Sequence, residues 1–470
     1  MSLFNNIKWV GFSQLAKILS QVVTIFYLTR VISPNEYSLL AMTAIVMNLA
    51  TIFSDMGTAS AVIQKQNITL SFYNLIYKIN IFIGFFVCAV ILLFSPLVVG
   101  YFERSELYNL LFMLSIIFPI TALGIVHRAK LEKDQNFKKL AKIEVFSSLI
   151  GLIVAIVMAN LEYGVYSIVT QMIVIAALIS IFCRFLSGLK LTILGSYERN
   201  DLKHIYHFSG NLLGFNLINY FSRNLDVILI GKYFSSTVLG AYSIAYRIML
   251  FPVQSMTFVV SRALLPHISH DLSNSETIKD NYFNCIFIIA MLTAPLMLGI
   301  SALSNDFVVI FFKEAWSDVA IILCWLAPSA IIQAILSTTG AVFTAYQRTN
   351  WLFWLGCIGA LLYSFSFIIG VQYDIEFFVK MYLLANILNF FPVMYLVGKI
   401  LNFSLKDVGL VIYKTLIPAL LMFLILHILN LYLEEITFIN FLIKFIIGLI
   451  AYIIPLCILN SNLVKRYFKK

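Results

Sequence analysis

Long apolar segments alternate with short polar connections along almost the whole chain. A helix that crosses a bilayer needs about 20 mainly apolar residues. The short connections predict that neighbouring helices run antiparallel. The pattern therefore predicts an all-α integral membrane protein with about 14 transmembrane helices, in the segments 9–31, 38–63, 75–100, 107–127, 144–160, 164–187, 208–232, 238–262, 283–312, 318–345, 351–370, 376–398, 409–430 and 437–459.

The composition agrees with this class. The 470 residues are 61% hydrophobic and 11% charged, whereas soluble proteins are about 45–50% apolar and about 25% charged. The six cysteines lie in apolar segments without metal-ligand spacing, and the pairs His204/His207 and His267/His270 have no neighbouring ligands in sequence, so no metal site and no cofactor are expected. No nucleotide-binding or nucleophile motif occurs, and we expect no enzyme activity.

Basic residues are concentrated on one side of the predicted membrane. The connection "HRAKLEKDQNFKKLAK", the connection after the sixth segment and the tail "VKRYFKK" fall on the same side, while acidic residues are frequent in the alternate connections. Lys and Arg are retained in the cytoplasm, so both termini are expected to be cytoplasmic. The net charge of +10 is then a topology signal, and no nucleic-acid partner is expected.

The chain also contains a weak internal repeat. A shift of 202 residues places "LTRVISPNEYSLLAMTAI" (28–45) on "IGKYFSSTVLGAYSIAYR" (230–247), which predicts two bundles in parallel repeat around a central cavity. An amphipathic surface helix at 195–210 would begin the second bundle. We therefore expect a six-helix bundle over 1–190, a second over 195–400, and an additional helix pair over 401–470.

A polar stripe recurs in both copies of the repeat. In the first segment its members are spaced i, i+3, i+7 and i+10, which places them on one helix face. Polar side chains are disfavoured against lipid, so both stripes are expected to face a water-filled interior. The matched positions are Gln14, Lys17, Gln21 and Thr24 in the first copy and Asn216, Asn219, Arg223 and Asp226 in the second.

Helix length places several of these charges at similar depths. Arg223, Asp226 and Arg247 are expected to form one cluster with a net charge of +1, and Lys17 and Asp55 a neutral pair. The charges could neutralise each other and stabilise helix packing, or they could serve a substrate.

The whole chain resembles a known transporter family. The stretches "FSDMGTASAVIQKQNIT" (53–69), "NLDVILIGKYFSSTVLGAYSIAYRIMLFPVQSM" (224–256) and "SRALLPHIS" (261–269) are similar to Wzx-type flippases, in the polysaccharide-transporter branch of the multidrug/oligosaccharidyl-lipid/polysaccharide exporter superfamily. The resemblance implies that an undecaprenyl-pyrophosphate-linked oligosaccharide moves from the cytoplasmic to the periplasmic leaflet of the bacterial inner membrane by alternating access. It also implies a polysaccharide polymerase and a chain-length regulator as partners.

The stripe suits such a substrate. Lys17, Arg223 and Arg247 would attract the pyrophosphate, while Asp55 and Asp226 would couple transport to an ion or neutralise the cations. The sugar hydroxyls would be bound by amide side chains, those of Gln14, Gln21, Asn216 and Asn219.

Three other functions are compatible with parts of this pattern. A cation-coupled multidrug exporter of the same fold would favour surplus carboxylates, whereas this cavity has surplus cations. A lipid II flippase would carry a related lipid pyrophosphate. A membrane glycosyltransferase or polymerase would need a sizeable external loop or a soluble catalytic part, and the outer connections here are short.

Overall fold

A computed structural model describes residues 3–54, 58–64, 68–192, 220, 224–270 and 275–459. Thirteen helical spans within these ranges are long and apolar enough to cross a membrane, and some of them join two consecutive helices. Each corresponds to one predicted segment, and the remaining predicted segment, 208–232, lies mostly outside the described residues. The protein is thus an all-α, multi-pass membrane protein, as predicted.

The chain divides into two compact units, residues 1–232 and 233–470. The predicted surface helix at 195–210 lies outside the described residues. The predicted division of the bundles at 190–195 therefore stays a prediction.

Unit 1 contains eight of the helices that the structure describes, and its residues 224–232 are helical as well. In chain order the eight are α1 (Leu3–Leu28), α2 (Pro34–Ser54), α3 (Thr58–Gln64), α4 (Leu70–Phe102), α5 (Glu106–Ser115), α6 (Ile117–Lys133), α7 (Phe137–Asn160) and α8 (Tyr166–Leu186).

In unit 2 the described residues form nine α-helices and one short 3₁₀ helix, Glu314–Trp316. The α-helices are α9 (Ser236–His270), α10 (Ser275–Ala302), α11 (Ser304–Phe311), α12 (Asp318–Leu336), α13 (Thr339–Ala345), α14 (Thr349–Gly370), α15 (Ile375–Leu401), α16 (Leu405–Tyr432) and α17 (Phe438–Leu459).

The internal repeat is visible in the positions of the helices. Helix α9 begins at Ser236, 202 residues after the start of α2 at Pro34. In unit 1, α6 packs between α4 and α8; in unit 2, α12 packs between α10 and α15. Similar helix order and similar neighbours within each unit explain why a single shift relates the two halves of the sequence.

Several predicted spans are interrupted in the structure. The segment predicted at 107–127 consists of α5 and α6, which meet at Ile116. The segment predicted at 283–312 consists of α10 and α11, because the backbone of Leu303 leaves the helical region. An apolar run specifies burial in lipid, but it does not specify unbroken helical hydrogen bonding.

Polar side chains cap the helices where they leave the apolar core. The Thr69 side chain accepts a hydrogen bond from the Phe72 amide at the start of α4. At the start of α16, Ser404 and Asp407 form a reciprocal capping box. Such caps satisfy amides that have no partner within the helix.

Candidate functional site

Four charged side chains form a connected network within unit 1. The Lys17 Nζ donates to Oε2 of Glu144 at 2.9 Å, and Nη2 of Arg128 donates to Oε1 of the same carboxylate at 3.0 Å. The Arg128 Nε also donates to Oε1 of Glu132 at 3.0 Å. Because Lys17 lies on α1, Glu144 on α7, and the other two on α6, the network joins three helices.

The network is electrically balanced, and its central carboxylate is its most buried member. The Glu144 side chain is 12% exposed, compared with 35% for Lys17 and 44% for Arg128. A carboxylate removed from water is stable in its ionised form only when it is paired and hydrogen-bonded. Glu144 meets this requirement because each of its two oxygens accepts a hydrogen bond from one cation. The two cations are more accessible than the carboxylate that they share.

The polar stripe of α1 is divided between packed and accessible side chains. Thr24 Oγ1 accepts a hydrogen bond from Nε2 of Gln171 on α8 at 3.2 Å, and Lys17 contacts Glu144 on α7. Gln14 is half-buried and Gln21 is exposed. The two amides thus lie beside the packed face of the helix.

Lys17 has a partner in the structure that the sequence did not predict. The sequence suggested a neutral pair with Asp55, whereas the described contact of Lys17 is with Glu144. Asp55 itself lies outside the described residues, so the pair of Lys17 and Asp55 stays a prediction. The contact with Glu144 was not predicted, because α1 packs closely against α7, which is distant in sequence.

Two more predicted site residues are described. Asp226 is 3% exposed, and its Oδ1 accepts a hydrogen bond from the Val227 amide at 2.7 Å. Arg247 lies on α9 with an exposed side chain. The predicted cluster of Arg223, Asp226 and Arg247 and the predicted roles of the amides stay predictions, because three of the residues concerned lie outside the described ranges: Asn216, Asn219 and Arg223.

An apolar groove runs between α6 and α8, and Arg128 lies at one of its ends. The groove has a volume of about 430 Å³ and is open on one side. Its buried floor is the contact between Gly124 and Ser180, where a Cβ on the glycine would lie 2.5 Å from the serine Cα. Most of its walls are half-buried apolar side chains, among them Ile117, Ile125, Ala176 and Ile179.

Unit 2 contains an ion pair that is almost fully buried. The Lys444 Nζ on α17 donates to Oδ2 of Asp306 on α11 at 2.7 Å, and the two side chains are 1% and 7% exposed. Two further hydrogen bonds hold the last two helices to the rest of the unit: Asn430 donates to the Ala302 carbonyl at 2.9 Å, and the Tyr452 hydroxyl donates to the Met291 carbonyl at 2.8 Å.

Four charged residues were not among the predicted site residues: Glu144, Arg128, Lys444 and Asp306. A signal for each was present, since every one is a charged residue within or at the end of an apolar segment, where ionised side chains are rare. Arg128 had been assigned only to the topology signal of the following connection. The pairing itself had no local signal, because 127 residues separate Lys17 from Glu144 and 138 separate Lys444 from Asp306.

Comparison with solved structures places the fold. The chain is similar to the lipid II flippase MurJ in an inward closed conformation, with a TM-score of 0.77, 18% identity, and coverage of 97% of this chain and 100% of that one. It is also similar to an inward-facing multidrug resistance transporter of the MATE family and MOP superfamily, with a TM-score of 0.62, 13% identity, and coverage of 85% and 99%. At such identities the likeness shows a shared fold.

Sequence relatives narrow the family. The chain is 26% identical to the teichuronic acid biosynthesis protein TuaB of Bacillus subtilis over 78% of this chain and 76% of that protein. It is 24% identical to the lipopolysaccharide biosynthesis protein WzxC of Escherichia coli over 81% and 78%. Together with the fold, these relatives confirm the resemblance to Wzx-type proteins. Residues 27–321 match the family described as "Polysaccharide biosynthesis protein", and because this match covers more than half of the chain, the protein belongs to that family.

Proposed function

We propose that the protein is a flippase that moves an undecaprenyl-pyrophosphate-linked oligosaccharide repeat unit from the cytoplasmic to the periplasmic leaflet. Relatives named for teichuronic acid, lipopolysaccharide and succinoglycan biosynthesis support this function, the last as a transport protein. Alternating access, as in the transporters that share the fold, would carry the glycan across, while the polyprenyl chain stays in lipid.

The observation that carries the proposal is the accessible cation on a membrane-spanning helix. Lys17 lies in the first candidate span, Lys8–Leu28, and 35% of its side chain is exposed. A structural lysine in such a helix would be expected to be buried with its counter-ion. An accessible one suits an anionic headgroup, with Arg223 and Arg247 as further proposed cations and Gln14, Gln21, Asn216 and Asn219 as proposed sugar-binding amides.

Substitution of the cations tests this assignment in the producing bacterium. We expect Lys17→Ala, Arg223→Ala and Arg247→Ala each to reduce surface polysaccharide strongly while protein abundance is maintained. Lys8→Ala is the matched control for the first, since Lys8 is an exposed lysine on the same helix. Wild-type surface polysaccharide in all three variants would refute the cationic site.

Ion coupling is proposed to act through Asp55 and Asp226. Asp226 is buried, and because burial disfavours the charged form of a carboxylate, its charge depends on the groups that surround it. Transport by the double variant Asp55→Asn/Asp226→Asn should lose its dependence on the ion gradient. Retention of that dependence would exclude both residues as coupling groups.

The direction of transport rests on the proposed orientation with cytoplasmic termini. Two exposed residues at opposite ends of α7 allow a test: Lys139 lies in its first turn, and Tyr163 lies three residues beyond its end at Asn160. We expect an impermeant maleimide added to intact spheroplasts to label Tyr163→Cys and to spare Lys139→Cys, with the parent protein as background. The reverse pattern would overturn the orientation.

A lipid II flippase is the second candidate, and the likeness to MurJ favours it. Expression of the protein in cells depleted of their lipid II flippase discriminates the two functions. Our proposal predicts that these cells do not recover, whereas a strain lacking its own polysaccharide flippase regains surface polysaccharide. Recovery of the lipid II-dependent cells would favour the second candidate.

A further inference from the structure

The groove between α6 and α8 meets the charged network at a single residue. Arg128 lines the groove and also holds Glu144. From Ile117 to Arg128 the groove follows α6 for eleven residues, or about 16 Å at 1.5 Å per residue, which is close to half of the roughly 30 Å hydrocarbon core. An apolar channel about one leaflet deep therefore ends at a cation.

We propose that this groove is the loading site for the lipid carrier: one polyprenyl chain lies between α6 and α8, and its pyrophosphate binds Arg128 and Lys17 in place of Glu144. The inference rests on the proposed function and adds a site to it. Under the proposed orientation, Arg128 lies at the cytoplasmic end of the groove, where the substrate lipid would be synthesised.

The shape of the groove selects the kind of lipid. Its two walls are helices in direct contact at Gly124 and Ser180, so it accommodates one chain. The polyprenyl carrier has one chain, whereas an ordinary membrane phospholipid has two. The half-buried apolar walls gain contacts when a chain fills the groove, since burial of apolar surface is favourable where side chains pack against it.

The charges select the headgroup. Glu144 balances Lys17 and Arg128 with one negative charge and is their shared ligand. A pyrophosphate carries more negative charge and more acceptor oxygens than one carboxylate, and Arg binds phosphate oxygens in a bidentate manner. It can therefore displace Glu144, whereas a neutral glycolipid cannot. Glu144 thus acts as an internal competitor that excludes weakly charged lipids.

The groups that face Glu144 from neighbouring helices define the matched controls. They are Lys17 from α1, Arg128 and Glu132 from α6, and Cys183 from α8, which lies close enough to interact electrostatically with both glutamates. Glu132 contacts Arg128 through an i, i+4 pair on the same helix, and among the described residues it makes no ion pair with Lys17. Glu132→Gln therefore removes an equal charge without removing the carboxylate that the two cations share.

Binding of labelled undecaprenyl pyrophosphate to the full-length protein in phosphatidylcholine nanodiscs tests the headgroup site. We expect Arg128→Gln to weaken binding about tenfold, because it removes hydrogen bonds between a charged donor and the charged headgroup. Glu144→Gln should tighten binding about fivefold by removing the competitor, while Glu132→Gln stays within about twofold, as for an exposed pair. Equal effects of the two glutamate substitutions would overturn the role of Glu144.

Bulky substitutions test the groove. Ala176→Trp places a large side chain inside the groove, and Met172→Trp narrows the groove at its exposed edge. The control is Ile181→Trp, because Ile181 is exposed on the same helix outside the groove. The two groove variants should bind undecaprenyl pyrophosphate about tenfold more weakly through lost apolar contacts, and inorganic pyrophosphate should compete equally in all three. Melting curves verify folding, and Met172→Trp, at an exposed position, serves if Ala176→Trp does not fold.

Three competitors separate the sources of binding energy. Undecaprenol has the chain without phosphate, inorganic pyrophosphate has the charge without the chain, and phosphatidylglycerol has two chains and one phosphate. We expect each to compete more weakly than undecaprenyl pyrophosphate. Competition by phosphatidylglycerol at equal strength, or normal binding by both groove variants, would overturn the loading site.

Failure of this site is distinguishable from failure of the proposed function. If the groove variants bind the probe normally while Lys17→Ala abolishes surface polysaccharide, the loading site is wrong and the flippase proposal stands. If the probe binds as expected but the protein does not restore surface polysaccharide to a strain lacking its own polysaccharide flippase, the site stands and the flippase proposal is wrong.

Discussion

The pair of Lys444 and Asp306 should dominate the stability of the C-terminal helices. Lys444 is six residues into α17, about 9 Å along the helix at 1.5 Å per residue, and its side chain is 1% exposed, compared with 7% for the side chain of Asp306. The change to test is Lys444→Met, which keeps the length of the side chain and removes its charge. Asp306 would then be an ionised group without its partner.

The magnitude follows from burial. Breaking a buried ion pair by removing one partner costs about 3–5 kcal/mol, because the remaining charge is uncompensated. At roughly 2–4 °C per kcal/mol for a unit of this size, the melting temperature should fall on the order of 10 °C. Replacing both residues, as in Lys444→Met/Asp306→Leu, should recover most of that loss, since an apolar pair of similar volume is often neutral or stabilising.

Thermal unfolding of the purified protein in detergent, followed by intrinsic tryptophan fluorescence, measures these effects. The control is Lys130→Met. Its pair with Asp134 is shorter, at 2.5 Å, but its side chains are 26% and 34% exposed, so the loss should stay at about 0–1 kcal/mol. The reasoning is refuted if Lys444→Met costs no more than Lys130→Met, or if the double variant is as unstable as the single one.

Other substitutions test packing and helix ends. Gly124→Leu should lower the melting temperature, because overpacking against Ser180 costs about 1–3 kcal/mol or more. Gly100→Leu is the control and should not lower it, because a Cβ at Gly100 meets nothing within 4 Å. Similar losses at both sites would contradict close packing of α6 on α8. Ser404→Ala should lower the free energy of unfolding by about 1 kcal/mol, because it removes the side-chain acceptor for the Asp407 amide. Amide hydrogen exchange should then be faster in the first turn of α16. Unchanged exchange there would show that the cap contributes nothing.

The helices and their approximate limits were predictable from the order of apolar and polar residues. Lipid requires that each spanning segment satisfy its own backbone hydrogen bonds, so a long apolar run specifies a helix. The repeat of 202 residues was also visible, and it reappears as the distance between Pro34 and Ser236 at the starts of α2 and α9. The break at Leu303 was not visible, because an apolar run has the same composition whether or not its helix is continuous.

The sequence by itself determined the class of the protein, its spans and the presence of charges within them. Only the tertiary structure decided which charges meet. The contact of Lys17 with Glu144 was not predicted, nor was the position of Arg128 in both the network and the groove. The physical reason is that hydrophobicity and helix periodicity are local properties of the chain, whereas an ion pair depends on which helices pack together. That packing is decided by contacts such as Gly124 on Ser180, between residues far apart in sequence.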